Sequence, residues 1–367
     1  MKIQLRKPFF PEKTIKKIEE NVGKCLKIGQ LTLGKNTLSL EKKFAKYIGV
    51  KYACAVSSAT AGLHLSLLSL DIKKGDEVIV PSKPFISTAN AAVYCGAKPV
   101  FCDVDEDSFQ MDLKSLKKSI SKKTKVIIPV HLGGNMCPMN EINEIATKEH
   151  IHVVEDAAHA HGATLKHKKA GSFGKIGVFS FYPDKIMASS DGGIIVTNNK
   201  NIFEKIKSLR NVGRVNLGKY NFDRIGFNYR MNEIQAIIAL EQLKLLPFML
   251  KKRREIASIY SNELSKITEI KPQKIIPDCN PSYYAYILRF LKGNTFVPRN
   301  KLKQFGIETS PMFSSIYKMK PYVELFGKQD GLCPISEKLD NQTFTIPLHP
   351  GLSRNDIDFV KIKIIIQ

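Results

Sequence analysis

Between about residues 50 and 200, short apolar runs recur at 52–56, 77–80, 99–104, 126–130, 152–155, 177–181 and 193–197. Each is too short for a core helix and rich enough in Val, Ile and Phe for a strand buried on both faces. The intervening stretches 62–70, 113–119 and 139–149 carry apolar residues at helical spacing, as crossover helices do. Strand and helix in alternation predict an α/β chain with a mostly parallel sheet sandwiched by helices. Residues 228–256 read as one helical tract whose apolar face holds Ile234, Ile237, Ile238, Leu240 and Leu243, interrupted at Pro247. Past about residue 258 the alternation stops, and a strand-like 283–290 is followed by irregular helix and turn signals. The expected division is a large domain over 1–250 and a smaller C-terminal α+β domain over 251–367. With 367 residues, 43% of them hydrophobic, such a chain can bury a substantial core.

Several function classes recede on composition. The seven cysteines, at 25, 54, 95, 102, 137, 279 and 333, form no CxxC pair and no Cys/His cluster, so they read as buried free thiols. No apolar stretch reaches the roughly 18 residues of a membrane span, and the first residues run straight into charge and proline, so a cytoplasmic location without a membrane partner is expected. The net charge of +23 is spread along the chain in pairs such as Lys16-Lys17, Lys42-Lys43, Lys122-Lys123 and Lys251-Lys252. Dispersed pairs of this kind describe solvated faces rather than a nucleic-acid-binding arm, and no helix-turn-helix module or aromatic-interleaved basic patch accompanies them. A phosphate-bearing substrate remains compatible with the charge.

In open parallel sheets ligands collect beyond the carboxyl ends of the strands. The residues that fall there are Ser57-Ser58-Ala59-Thr60, Pro81 to Phe85, His131 to Gly134, Glu155 to His159, and Ser180 to Lys185. The turn from Val56 to Gly62 uses small side chains, which suits either a phosphate cup at a helix N-terminus or an ordinary N-cap by Ser57 or Ser58. It lacks a Walker lysine, so nucleoside-triphosphate binding is disfavoured. Asp156 ends an apolar run among alanines and needs a cationic partner, which a protonated pyridine nitrogen, an arginine or a metal could supply. For a metal, Asp156, His159 and His161 make a short donor set. Lys185 follows an apolar strand and precedes the small-residue stretch Ala188 to Gly193, a setting where partial desolvation would favour the neutral, nucleophilic amine.

Taken in order, these pieces resemble the sugar aminotransferases of the DegT/DnrJ/EryC1/StrS family across nearly the whole chain. The matching segments are Gly34 with Phe44 to Gly49, Ser57 to Leu65, Thr88 to Ala91, Gly96 to Asp105, Glu155 to Gly162, Phe179 to Lys185, Asp191-Gly192-Gly193, Gly226 to Asn232 and Ile346 to Leu352. The resemblance implies the aspartate-aminotransferase type of fold, fold type I of the enzymes dependent on pyridoxal 5'-phosphate (PLP). It further implies Lys185 as the Schiff-base lysine and Asp156 as the partner of the pyridinium nitrogen. Ser58, Ala59, Thr60 and Ser180 would hold the phosphate, Phe85 would stack on the ring and His159 would face its phenolic oxygen. Asn228 would reach the phosphate of a second subunit, which makes a homodimer the expected assembly. Departures from the family pattern are Ala59 for Gly, Pro84 for a hydroxyl residue, Asp184 for Thr, Ser190-Asp191 for Gly-Glu, and Ser310 for a frequent Arg.

The implied reaction moves an amino group from an amino acid, glutamate in the family, to a keto-sugar linked to a nucleotide, in the making of cell-surface polysaccharide or glycan. Two rivals exist: a PLP-dependent sugar dehydratase on the same fold, and a regulatory or nucleic-acid-binding protein that has kept the fold. Family dehydratases usually carry His at the Schiff-base position, so Lys185 favours transfer.

Overall fold

A computed structural model describes residues 2–215, 220–291 and 293–365. Its main sheet has seven strands: β1 (Tyr52–Val56), β2 (Glu77–Pro81), β3 (Lys98–Cys102), β4 (Thr124–Ile127), β5 (His152–Asp156), β8 (Ile176–Ser180) and β9 (Gly193–Thr197). Between β5 and β8 the chain makes a small hairpin of β6 (Thr164–Leu165) and β7 (Lys168–Lys169). The spatial order is β1-β9-β8-β5-β4-β2-β3. Within this sheet β9 alone runs against its neighbours, pairing antiparallel with β1 and β8. The other pairs, β2 with β3 and β4, β4 with β5, and β5 with β8, are parallel.

Successive side chains of a strand point to opposite faces, so a run of unbroken apolar residues feeds two cores. Ile79, Ile127, Val153 and Ile194 join Leu40, Phe44 and Phe181 on one face. Val78, Val126, Val154 and Ile195 join Leu63, Leu65 and Ile206 on the other. Helices Ala59–Ser69, Leu113–Ser119 and Met139–Lys148 occupy the stretches expected of crossovers.

A second sheet, all antiparallel, comprises β10 (Ile270–Pro272), β12 (Tyr286–Phe290), β13 (Ser310–Pro311) and β14 (Thr343–Ile346) in the order β10-β12-β14-β13. The remaining strand, β11 (Cys279–Asn280), pairs back onto β6 of the hairpin. Beneath the second sheet lies a separate core that includes Tyr260, Leu288, Phe344 and Val360.

The long helical tract is not interrupted at Pro247. It is a single helix, Glu233–Leu264, opened by a capping box in which Asn232 and Gln235 satisfy each other's backbone N–H groups. Proline within a helix removes one hydrogen bond and crowds the preceding turn, at a cost of about 3 kcal/mol. Pro247 is exposed, whereas its neighbours Leu246, Met249 and Leu250 are buried, and the helix goes on to bury Ile256 and Tyr260 in the second core. Apolar burial of roughly 1.5 to 3 kcal/mol per side chain on both sides of the proline outweighs the local penalty. No helix among the described residues is long and apolar enough to cross a membrane.

Candidate active site

A cavity of about 370 Å³ opens where the strands end. Ser58 follows β1, Phe85 follows β2, Asp156 closes β5 and Ser180 closes β8. The reversed direction of β9 brings its beginning to this same edge, which is why Asp191-Gly192-Gly193 meets the Ser58 turn: Ser58 and Gly192 form a backbone bridge. A Cβ on Gly193 would lie 2.7 Å from both the Ala59 nitrogen and the Ser58 carbonyl carbon, so only glycine lets the strand approach this turn.

Ser58, Ala59, Thr60, Phe85, Asp156, His159, Ser180 and Lys185 all line the cavity. Ser58 is an N-cap, its Oγ accepting from the Ala61 amide at 3.1 Å, and it also lines the cavity. Thr60 donates its hydroxyl hydrogen bond to Ser87 Oγ at 2.8 Å. The first amides of the helix Ala59–Ser69 have no partners within the helix, and with the positive end of its dipole they suit an anion.

Asp156 is buried, its Oδ2 accepting from the Thr88 hydroxyl at 2.8 Å and its Oδ1 from the Ala158 amide at 3.1 Å. Burial pushes its pKa above the ordinary carboxylate value against the pull of these hydrogen bonds. Among the ion pairs of the described residues none includes Asp156. A buried acid that still lacks a cation in contact suits a protonated ring nitrogen.

Lys185 is half-buried, its side chain 12% exposed, and this desolvation lowers its pKa while neighbouring Asp184 resists. Its amine lies 3.3 Å from the Tyr284 hydroxyl and 3.3 Å from Asp184 Oδ1. Desolvation shifts the amine toward the neutral form that attacks carbonyls. The His159 ring stacks on Tyr284 with centroids 3.9 Å apart and 16° between planes. Burial first, then the nearby Lys185 and Arg6, hold His159 well below its ordinary pKa, so the ring is neutral; its Nδ1 is buried without a partner. His161, also buried, is held at about 3 for the same leading reason. Phe85 is 56% exposed and meets Phe313 across 5.7 Å, which places an apolar ring at the cavity.

Asn228 is exposed and lies outside the cavity lining. Conversely, Arg6 and Tyr284 line the cavity although nothing local in the sequence marks them, and Phe313 joins them from the stretch just after Ser310. Thr88 carried a signal, because it stands in the segment Thr88 to Ala91 that matched the family pattern. The residues present therefore fit PLP: a half-buried, desolvated lysine, a buried acid outside any ion pair of the described residues and a helix N-terminus share one cavity.

The family model for the DegT/DnrJ/EryC1/StrS aminotransferase family matches residues 12–364. The chain is 38% identical over 333 residues to GDP-perosamine synthase of Caulobacter vibrioides, spanning 90% of this chain and 89% of that one. It is 33% identical over 356 residues to the spore coat polysaccharide biosynthesis protein SpsC of Bacillus subtilis, spanning 93% and 92%. Among solved structures, DesV of S. venezuelae, in complex with a ketimine intermediate, superposes with a TM-score of 0.92 at 30% identity and 98% coverage of both chains. Helicobacter pylori PseC, an aminotransferase of pseudoaminic acid biosynthesis, superposes with a TM-score of 0.92 at 26% identity, covering 100% of this chain and 98% of that one. Sequence, fold and site chemistry agree: this chain belongs to the DegT/DnrJ/EryC1/StrS family of PLP-dependent sugar aminotransferases.

Proposed function

We propose that the protein moves the amino group of glutamate onto a nucleotide-linked keto-sugar in cell-surface polysaccharide or glycan synthesis, acting in the cytoplasm as a homodimer. The observation that carries this reading is the largely desolvated Lys185 amine sharing one cavity with the buried Asp156, which no ion pair of the described residues includes. The names of the relatives, two of them concerned with a GDP-sugar and a coat polysaccharide, support the nucleotide-linked sugar and its destination.

Bound PLP supplies an electron sink for the carbon that gains or loses a proton. Lys185 holds the cofactor aldehyde and, when released, carries the proton to and from the reacting carbon, a task that its lowered pKa suits. Asp156 keeps the ring nitrogen protonated. The Ser58-Ala59-Thr60 turn and Ser180 take the phosphate, Phe85 covers the ring, and neutral His159 offers a hydrogen bond on the phenolic-oxygen side. Exposed Asn228 contributes to the phosphate site of a second copy. A lysine at 185 supports transfer over dehydration.

The test is incubation with 15N-glutamate and a panel of nucleotide-linked 3-keto and 4-keto sugars. Label in the sugar product supports transfer, whereas a deoxy sugar without label replaces this reading with dehydration.

A further inference from the structure

Asp184 makes more contacts than a residue that merely precedes the cofactor lysine requires. Its Oδ2 accepts the Tyr284 hydroxyl at 2.7 Å and pairs with Arg6 Nη1 at 3.2 Å. Its Oδ1 stands 3.3 Å from the Lys185 amine, an ion pair without a further hydrogen bond. The Arg6 guanidinium and the Lys185 amine also sit 4.7 Å and 4.5 Å from the centre of the same Tyr284 ring. Two cations thus share one carboxylate and one aromatic ring. Arg6, Asp184, Lys185 and Tyr284 all line the cavity.

We propose that Asp184 is a positioning residue for Lys185: clamped by Arg6 and Tyr284, its carboxylate holds the amine in the cavity and balances its charge. This rests on the reading of Lys185 as the cofactor lysine. Arg6 lies 178 positions away in the chain, so the setting of the amine also depends on the docked N-terminal segment. Other charged or titratable groups that bear on the cluster are Asp156, which favours the ammonium, and Arg253, His159 and His161. Burial keeps both histidines neutral across the working range, so they contribute no switching charge there.

The arrangement predicts effects of opposite sign from the two halves of one ion pair. In Asp184→Asn the lysine nitrogen loses its carboxylate but keeps Arg6, so its protonated form is disfavoured. In Arg6→Gln the carboxylate is no longer divided, so the protonated form is favoured. Each shift is on the order of one pH unit, the size expected of a single neighbouring charge.

The experiment titrates the visible absorbance of the PLP-loaded protein with pH, in the absence of amino donor, for wild type, both single variants and the double variant. The expected result is a midpoint lowered by about one unit in Asp184→Asn, raised by about one unit in Arg6→Gln, and close to wild type in the double variant. Midpoints that move together, as general loosening would cause, or that do not move, overturn the proposal. Should Asp184→Asn fail to fold, the upward shift in Arg6→Gln decides alone. Borohydride reduction and peptide mapping of wild type separate the two readings: a label elsewhere than Lys185 sinks the lysine assignment, whereas a label on Lys185 with unmoved midpoints sinks only the role of Asp184.

Discussion

The Thr88 hydroxyl donates to the Asp156 carboxylate at 2.8 Å, joining a helix that follows β2 to the last residue of β5. Both residues are buried, and this bond favours the charged acid against the burial that disfavours it. Replacing Thr88 with Val keeps the shape and removes the donor. The expected cost is about 1 to 3 kcal/mol of stability, together with weaker cofactor binding, because Asp156 then ionises less readily. Urea unfolding of the cofactor-free protein and an absorbance titration with PLP measure the two effects.

Lys185→Ala removes the only group in the cavity proposed to carry the proton. Amino transfer should fall by at least roughly 10²-fold, the lower bound for losing a positioned acid–base group. Single-turnover assays that still show wild-type rates with intact PLP would count against the assignment.

Gly193→Ala tests the close approach of β9 to the Ser58-Ala59-Thr60 turn, which is proposed to hold the phosphate. A methyl group 2.7 Å from the Ala59 nitrogen must displace backbone rather than a flexible side chain. Displacing the turn should weaken its hydrogen bonds to the phosphate and reduce PLP affinity roughly tenfold or more, since a hydrogen bond to a charged group contributes about 1.5 to 3 kcal/mol and about 1.4 kcal/mol is tenfold. Equilibrium dialysis with PLP gives the number, and unchanged affinity would show that the turn does not hold the phosphate.

Glu233 links acid stability to the N-terminal region. Its carboxylate accepts from the amides of Gly34, Asn36 and Thr37, so it caps the helix Lys35–Ile48 from the start of the long helix. Burial alone would raise its pKa, but the hydrogen bonds from Thr37 and Asn36 outweigh burial and lower it below 4.5. The stability it contributes is therefore complete above pH 4.5 and is lost as the pH falls through the lowered value. Glu233→Gln should cost about 1.5 to 3 kcal/mol at neutral pH, and the gap to wild type should narrow in acid. Denaturant melts at pH 7 and pH 3 check both statements.

Pro247→Ala should stabilise the protein by about 1 to 3 kcal/mol, because Pro247 is exposed in mid-helix and the substitution restores a hydrogen bond without disturbing the core. Calorimetry reads the rise in Tm; an unchanged or lowered Tm would indicate that the proline shapes the helix path.

Local chemistry made much of this protein legible in its sequence. The strands Tyr52–Val56 and Gly193–Thr197 and the helix Leu113–Ser119 were marked by patterns that backbone geometry imposes on any chain. The ends of apolar runs, where a parallel sheet gathers its ligands, placed Asp156, Lys185 and the Ser58 turn among the candidates, and the family resemblance singled them out. Tertiary structure alone decided what these residues meet. Arg6 and Tyr284 reach Lys185 and Asp184 from distant parts of the chain, and the helix runs through Pro247 because buried neighbours on both sides outweigh a local rule. Periodicity is local information, whereas a residue's partner and the balance of burial against strain depend on which segments the fold brings together.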